Sequence, residues 1–147
     1  MKKMIITLCL AFIVMILSSC GDFLETSDNG KLDGLWQLTR IDTLGTGGSL
    51  DVTSDRKYLA VQAGFLEVRD ADMAERYMFR FSYDGDQLVL SDARLNDRSL
   101  GDPEVADVGV LMPYGINRLS ETFKVEKLTG SRLVLVSSTL RLIYRKF

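Results

Sequence analysis

The stretch "RYMFRFSYDGDQLVLSDARL", Arg76 to Leu95, decides the fold. Its first half alternates, placing Phe79, Phe81 and Tyr83 on one face and Arg80 and Ser82 on the other, the two-residue period of a half-buried strand. Asp84-Gly85 then interrupts with two residues that tolerate the positive φ of a type I′ turn, and Gln87 to Leu95 returns. An antiparallel hairpin is the prediction.

The same grammar extends in both directions. Upstream, "KYLAVQ" and "FLEVRD" are joined by Ala63-Gly64, a second tight hairpin. "GLWQLTRIDT" precedes them, with Trp36 and Leu38 on one face and Gln37 and Thr39 on the other, and ends before a flexible "GTGGS". Downstream, a polar loop "NDRSLGDPEVAD" leads to "VGVLM", a short apolar run stopped by Pro113. "ETFKVEKL" alternates again, with Phe123 and Val125 facing one way; Thr129-Gly130-Ser131 turns the chain into "RLVLVSS", and "TLRLIYRKF" finishes it.

From Leu32 onward there is no apolar stripe of 3.6-residue period, so the domain reads as all-β with about eight strands. Short connections imply antiparallel neighbours, because parallel pairing needs a crossover of a dozen residues or more. Eight such strands avoid exposed edges by closing into an up-and-down barrel. A two-sheet β-sandwich fits the same alternation.

The first twenty residues follow different rules. "MKKMIITLCLAFIVMILSSC" has Lys2 and Lys3, an uncharged apolar run from Met4 to Leu17, and Ser18-Ser19 before Cys20. As a helix the run spans about 21 Å, short of the roughly 30 Å hydrocarbon core of a bilayer. It reads as an export signal, residues 1–19. Leu17-Ser18-Ser19-Cys20 resembles a bacterial lipobox, in which small residues precede a cysteine that accepts the lipid and becomes the new N-terminus. Cys9 leaves with the signal, so the mature chain holds one cysteine and no intramolecular disulfide. Residues 20–31, polar and rich in turn formers, read as a flexible lipidated tether, and 32–147 as one β-domain. Asp22, Glu25 and Asp28 loosely resemble the acidic stretch of surface-exported lipoproteins in some Gram-negative bacteria. The expected location is the outer membrane of such a cell, facing the periplasm or the exterior.

Composition narrows the chemistry. The whole chain carries 18 basic and 20 acidic residues, and loss of Lys2 and Lys3 lowers its formal charge from −2 to −4. A mildly acidic surface without a basic stripe speaks against nucleic acid as a partner. The absence of histidine removes the usual general base and the commonest transition-metal ligand. An acylated Cys20 leaves no free thiol for nucleophilic attack or zinc. Asp70, Asp72 and Glu75 in "RDADMAER" are the densest acidic group, but they lie between two strands and lack the order of a calcium loop, so they read as a solvated turn. "GTGGS" lacks the pattern of a phosphate cradle. The expectation is a non-enzymatic protein with no metal and no cofactor.

Gly34-Leu35-Trp36 at the head of the first strand, the train of short strands, and a closing strand that carries arginine together resemble the lipocalin-like domains of small bacterial lipoproteins. The resemblance implies that Trp36 packs at the closed end of the barrel beside Gly34, covered by Arg141 or Arg145 from the last strand. Alternation alone points those two arginines outward if Leu140, Leu142 and Tyr144 face the core. Trp36 as an ordinary core residue fits as well. The resemblance also implies an interior site near the open end for a small apolar ligand, lined by Tyr58, Phe79, Phe81, Tyr83, Phe123 and Tyr144. The same aromatic side chains suit plain packing of a narrow barrel. The alternative function is a protein-interaction module, an inhibitor or an accessory part of a surface assembly. It would use the long loop, with Asp97, Arg98 and exposed Met112 and Tyr114 as contact residues.

Overall fold

The computed structural model describes residues 27–147. Nine strands form one sheet: β1 (Gly34–Thr43), β2 (Ser49–Asp51), β3 (Lys57–Gln62), β4 (Phe65–Asp70), β5 (Arg76–Tyr83), β6 (Gln87–Leu95), β7 (Glu121–Leu128), β8 (Arg132–Val136) and β9 (Leu140–Lys146). Each pairs antiparallel with its successor from β3 onward, and β1 pairs with both β3 and β9, closing an eight-strand up-and-down barrel. β2 is an addition in the "GTGGS" region, where the sequence suggests only a flexible link. It pairs with the second half of β1 while β3 pairs with the first half, and a 3-10 turn at Thr53–Asp55 joins the two.

Closing so narrow a sheet requires coiling, and three register shifts supply it. They fall at Leu38/Arg40 in β1, Met78/Arg80 between β5 and β6, and Val125/Lys127 in β7. Each adds a residue to one strand and moves the inward-facing set by one position. Hence Trp36 and Leu38 are followed inside by Ile41, Leu88 and Leu90 by Ala93, and Phe123 and Val125 by Leu128. Asp92, at the β5–β6 shift, takes a positive φ of 52°, whereas the other two shifts are made without one.

The hairpins form where the sequence places them, with one change of type. Ala63-Gly64 is a two-residue connection between Gln62 and Phe65. Asp84-Gly85 belongs instead to a four-residue loop between paired Tyr83 and Leu88, and only Gly85 of the two has a positive φ. The reason is the Asp84 carboxylate, which accepts the backbone N–H groups of Asp86 and Gln87 at 2.9 and 2.7 Å. Those bonds hold its carboxyl below the ordinary aspartate range. "VGVLM" is no strand: Val108–Val110 and Met112–Tyr114 are 3-10 turns.

Candidate functional site

The barrel has two ends, and both are filled by the chain itself. At the first, β1 begins and β9 ends. A 3-10 turn at Gly30–Leu32 turns Leu32 into the barrel, where it is fully buried beside Trp36. The indole N–H of Trp36 donates to the Leu32 carbonyl at 2.8 Å, satisfying the one polar group of an otherwise apolar side chain. The Lys146 ammonium lies 4.2 Å from the Trp36 ring centroid and donates to the carbonyls of Asp33 and Lys31. Burial lowers the Lys146 pKa, and the nearby Asp33 carboxylate opposes that shift. Gly34 permits the arrangement: its φ is 120°, and a Cβ there would stand 2.7 Å from Lys146 Nζ.

Neither arginine suggested by the resemblance covers Trp36. Arg145 lies on the outer face, donating to Gln37 Oε1 at 2.9 and 2.7 Å, and Arg141 pairs there with Glu126 at 2.7 Å. Strand alternation is the cause. Leu142 and Tyr144 face inward, so Arg141 and Arg145 cannot, and the next residue in phase is Lys146, which pairs directly with Trp36. That phase is readable in "LRLIYRK" and would have named Lys146.

The opposite end receives the long connection between β6 and β7. Leu111, Tyr114 and Ile116 from its 3-10 turns are buried in the core. Tyr114, expected as an exposed contact residue, is 2% exposed. Its hydroxyl donates to Asp70 Oδ1 at 2.9 Å, Lys57 Nζ reaches the same oxygen at 2.7 Å, and the Tyr77 ring meets it edge-on at 6.1 Å. Burial first, then the Asp70 contact, raises the Tyr114 pKa well above the ordinary phenol value. Gly115 seats this plug with φ 76°, its Cα so close to Leu142 that a Cβ would stand 2.4 Å from Leu142 Cδ2. Asp70 is therefore part of a buried-side network, whereas Asp72 accepts the Ala74 backbone N–H in the β4–β5 turn.

Between the two plugs, Phe79, Phe123 and Tyr144 are buried in the core, with Phe81 and Tyr83 packed against it and partly exposed. Tyr58 is not among them. Leu59 and Val61 take the inward positions of β3, so Tyr58 points outward and is covered by Phe147, ring centroids 5.1 Å apart. Of the loop residues, Asp97 caps the 3-10 turn Arg98–Leu100 by accepting from Ser99 N–H, Arg98 extends into solvent beside Asp102, and Met112 is 55% exposed. Among the described residues no three acidic, cysteine or histidine side chains converge in a way that would hold a metal.

The first described residues are also tied down. Ser27 Oγ donates to Asp33 and accepts from Ala63 N–H, and the Asn29 amide donates to the Ala63 carbonyl. The tether expected over residues 20–31 thus gives way to ordered structure by Ser27. Cys20 and the export signal lie outside the described residues.

No curated protein matches the sequence. Among solved structures, the chain is similar to a lipocalin-like protein from Bacteroides uniformis, at TM-score 0.60 and 26% identity over 80% of this chain and 100% of that one. It shares its fold with an uncharacterized protein from Bacteroides eggerthii, at TM-score 0.59 and 19% identity over 78% of this chain and 98% of that one. The family described as "Lipocalin-like domain" matches residues 15–147, nearly the whole chain including the described barrel, and this protein belongs to it.

Proposed function

We propose that this protein is a non-enzymatic lipoprotein of the cell envelope, attached through Cys20 to the outer membrane of a Gram-negative bacterium. In this reading it binds a protein partner through residues 96–120, at the barrel end away from the tether. The two-sidedness of that segment carries the reading. Its inner side chains fill the barrel, while Leu100, Met112 and Leu119 on its outer side are 65, 55 and 39% exposed. Exposed apolar side chains on a segment seated by its buried side suit a partner's surface better than water. Membership in a generally non-enzymatic family supports the absence of catalysis, and the lysine pair, apolar run and Ser-Ser-Cys support the anchor.

A photocrosslinking residue at position 112 should trap a discrete partner in envelope preparations, whereas one at exposed Leu50 in β2 should not. Leu100→Ser with Met112→Ser should abolish the adduct without moving the unfolding midpoint. Equal adducts at both positions, or none at position 112, would reject the placement. For the anchor, Cys20→Ser should release a folded domain from the membrane fraction.

An apolar ligand inside the barrel is the second reading, favoured by the family and by the convergence of Phe79, Phe123 and Tyr144. It requires the plug around Leu111 and Tyr114 to move aside. Native mass spectrometry of protein extracted from membranes separates the two: a stoichiometric apolar adduct establishes the ligand reading, and a bare protein mass removes it.

A further inference from the structure

An outer groove of about 740 Å³ runs along β1, β3 and β4, floored by Leu35 and Ala60 and edged by Phe65. Phe65 is 57% exposed, and Phe147, which donates its N–H to the Leu35 carbonyl on the neighbouring strand edge, is 71% exposed. Arginines surround these aromatics. Arg69 lines the groove, Arg80 stands opposite Phe65 on β5, and Arg145 lies two positions from Phe147. The two carboxylates of the groove are engaged within the protein: Glu67 accepts from Asn96 and Arg69, and Asp33 from Ser27 and Asn29. Arg80 shares its charge with Asp92 at 3.4 Å, but its side chain remains 72% exposed.

This face lies where the chain departs for Cys20. Ser27 is bonded to Ala63, itself part of the groove lining. Seven peptide steps from Ser27 back to Cys20 reach about 25 Å at full extension. Exposed aromatics ringed by arginine, on the face from which that length of chain would run to an acyl anchor, have the composition of a membrane-interface contact.

We propose that this outer face, centred on Phe65 and Phe147, rests on the phospholipid surface to which the protein is anchored. Phe65 and Phe147 would enter the headgroup region, and Arg80 and Arg145 would meet lipid phosphates. The barrel would then be held in a fixed orientation, with the 96–120 segment directed away from the bilayer. This inference rests on the lipid anchor at Cys20 proposed above.

The test uses acylated full-length mature protein in vesicles of phosphatidylethanolamine and phosphatidylglycerol that contain a headgroup-attached quencher. A fluorophore is placed by Gln62→Cys in the groove, or by Ala74→Cys in the turn at the other end of β4. Position 62 should be quenched several-fold more than position 74, and Phe65→Ser with Phe147→Ser should cut that contrast by half or more while far-UV circular dichroism shows the barrel still folded. Equal quenching at both positions overturns the proposal. So does a contrast unchanged in the double variant, because the tether alone would then set it. Quencher-insensitive, blue-shifted emission at position 62 also overturns it, since the chain's own Phe23-Leu24 would then be covering the face. Mass spectrometry of the acyl chains separates the two readings. Acylated, membrane-retained protein without the contrast removes the docking face alone, whereas unacylated protein removes the anchor and this inference with it.

Discussion

At the end where β1 begins, closure is largely local: Leu32 and Trp36 are four positions apart and share a hydrogen bond. β9 adds only its terminal Lys146 to that contact. At the far end, Tyr114 reaches an Asp70 partner forty-four positions away, from within the long connection between Leu95 and Glu121. Ordering such a connection carries a large conformational entropy cost, offset by burying Leu111, Tyr114 and Ile116. The difference teaches where the barrel is firm. The end where β1 begins is built into the first and last strands of the ring, whereas the far end is a separate segment seated in it, and the far end is the one that local opening would reach first.

The largest test of that contrast is Trp36→Ala. Removal of a fully buried indole from the ring itself should cost about 3–5 kcal/mol by denaturant unfolding. A loss below about 1 kcal/mol would show that the end where β1 begins is not the firm one. Gly115→Ala probes the plug, forcing a positive φ on alanine and a Cβ against Leu142. It should cost about 2–4 kcal/mol from left-handed backbone strain and overpacking, and hydrogen exchange should rise first in residues 108–117. Uniform exchange across the barrel would erase the distinction between the ends.

Lys146→Met sharpens the identity of the residue over Trp36. It should cost about 1 kcal/mol through the lost cation–π contact, and the emission of the single tryptophan should shift. Arg145→Met should leave that emission unchanged, because Arg145 sits outside on Gln37. A shift with Arg145→Met and none with Lys146→Met would reverse the assignment.

A further effect is at alkaline pH. Burial raises the phenol pKa of Tyr114 and Tyr144 above the unfolded value near 10. The unfolded chain therefore loses these protons first, so stability is intact below about pH 10 and falls as pH rises beyond it. Urea midpoints at pH 8 and pH 11 should differ less in Tyr114→Phe than in the parent chain. Equal differences would mean that Tyr114 is not held protonated in the plug.

Much of the barrel was legible because its information is local. Alternation in "RYMFRFSY" and "ETFKVEKL" reported the strands, and Ala63-Gly64 reported a turn. The site was legible only in part. Gly34-Leu35-Trp36 marks Trp36, but the family resemblance points to arginine as its cation, whereas the phase of Leu142 and Tyr144 points to Lys146. The side of Tyr58 is not legible, because an aromatic in a strand looks the same on either face until its neighbours Leu59 and Val61 are assigned inward. The burial of Tyr114 is not legible, because "LMPYGINRL" has no period from which to read a buried side.

By itself, the sequence determined an antiparallel β-domain, the order of its main strands and its lack of histidine chemistry, since side-chain period, turn residues and composition act over a few positions. Only the tertiary structure decided that the ring closes through β1 and β9, that three register shifts re-aim the core, and that the loop after β6 fills the far mouth. Those outcomes depend on contacts between residues tens of positions apart, where volume and hydrogen-bonding partners in three dimensions, not neighbouring residues, select the conformation.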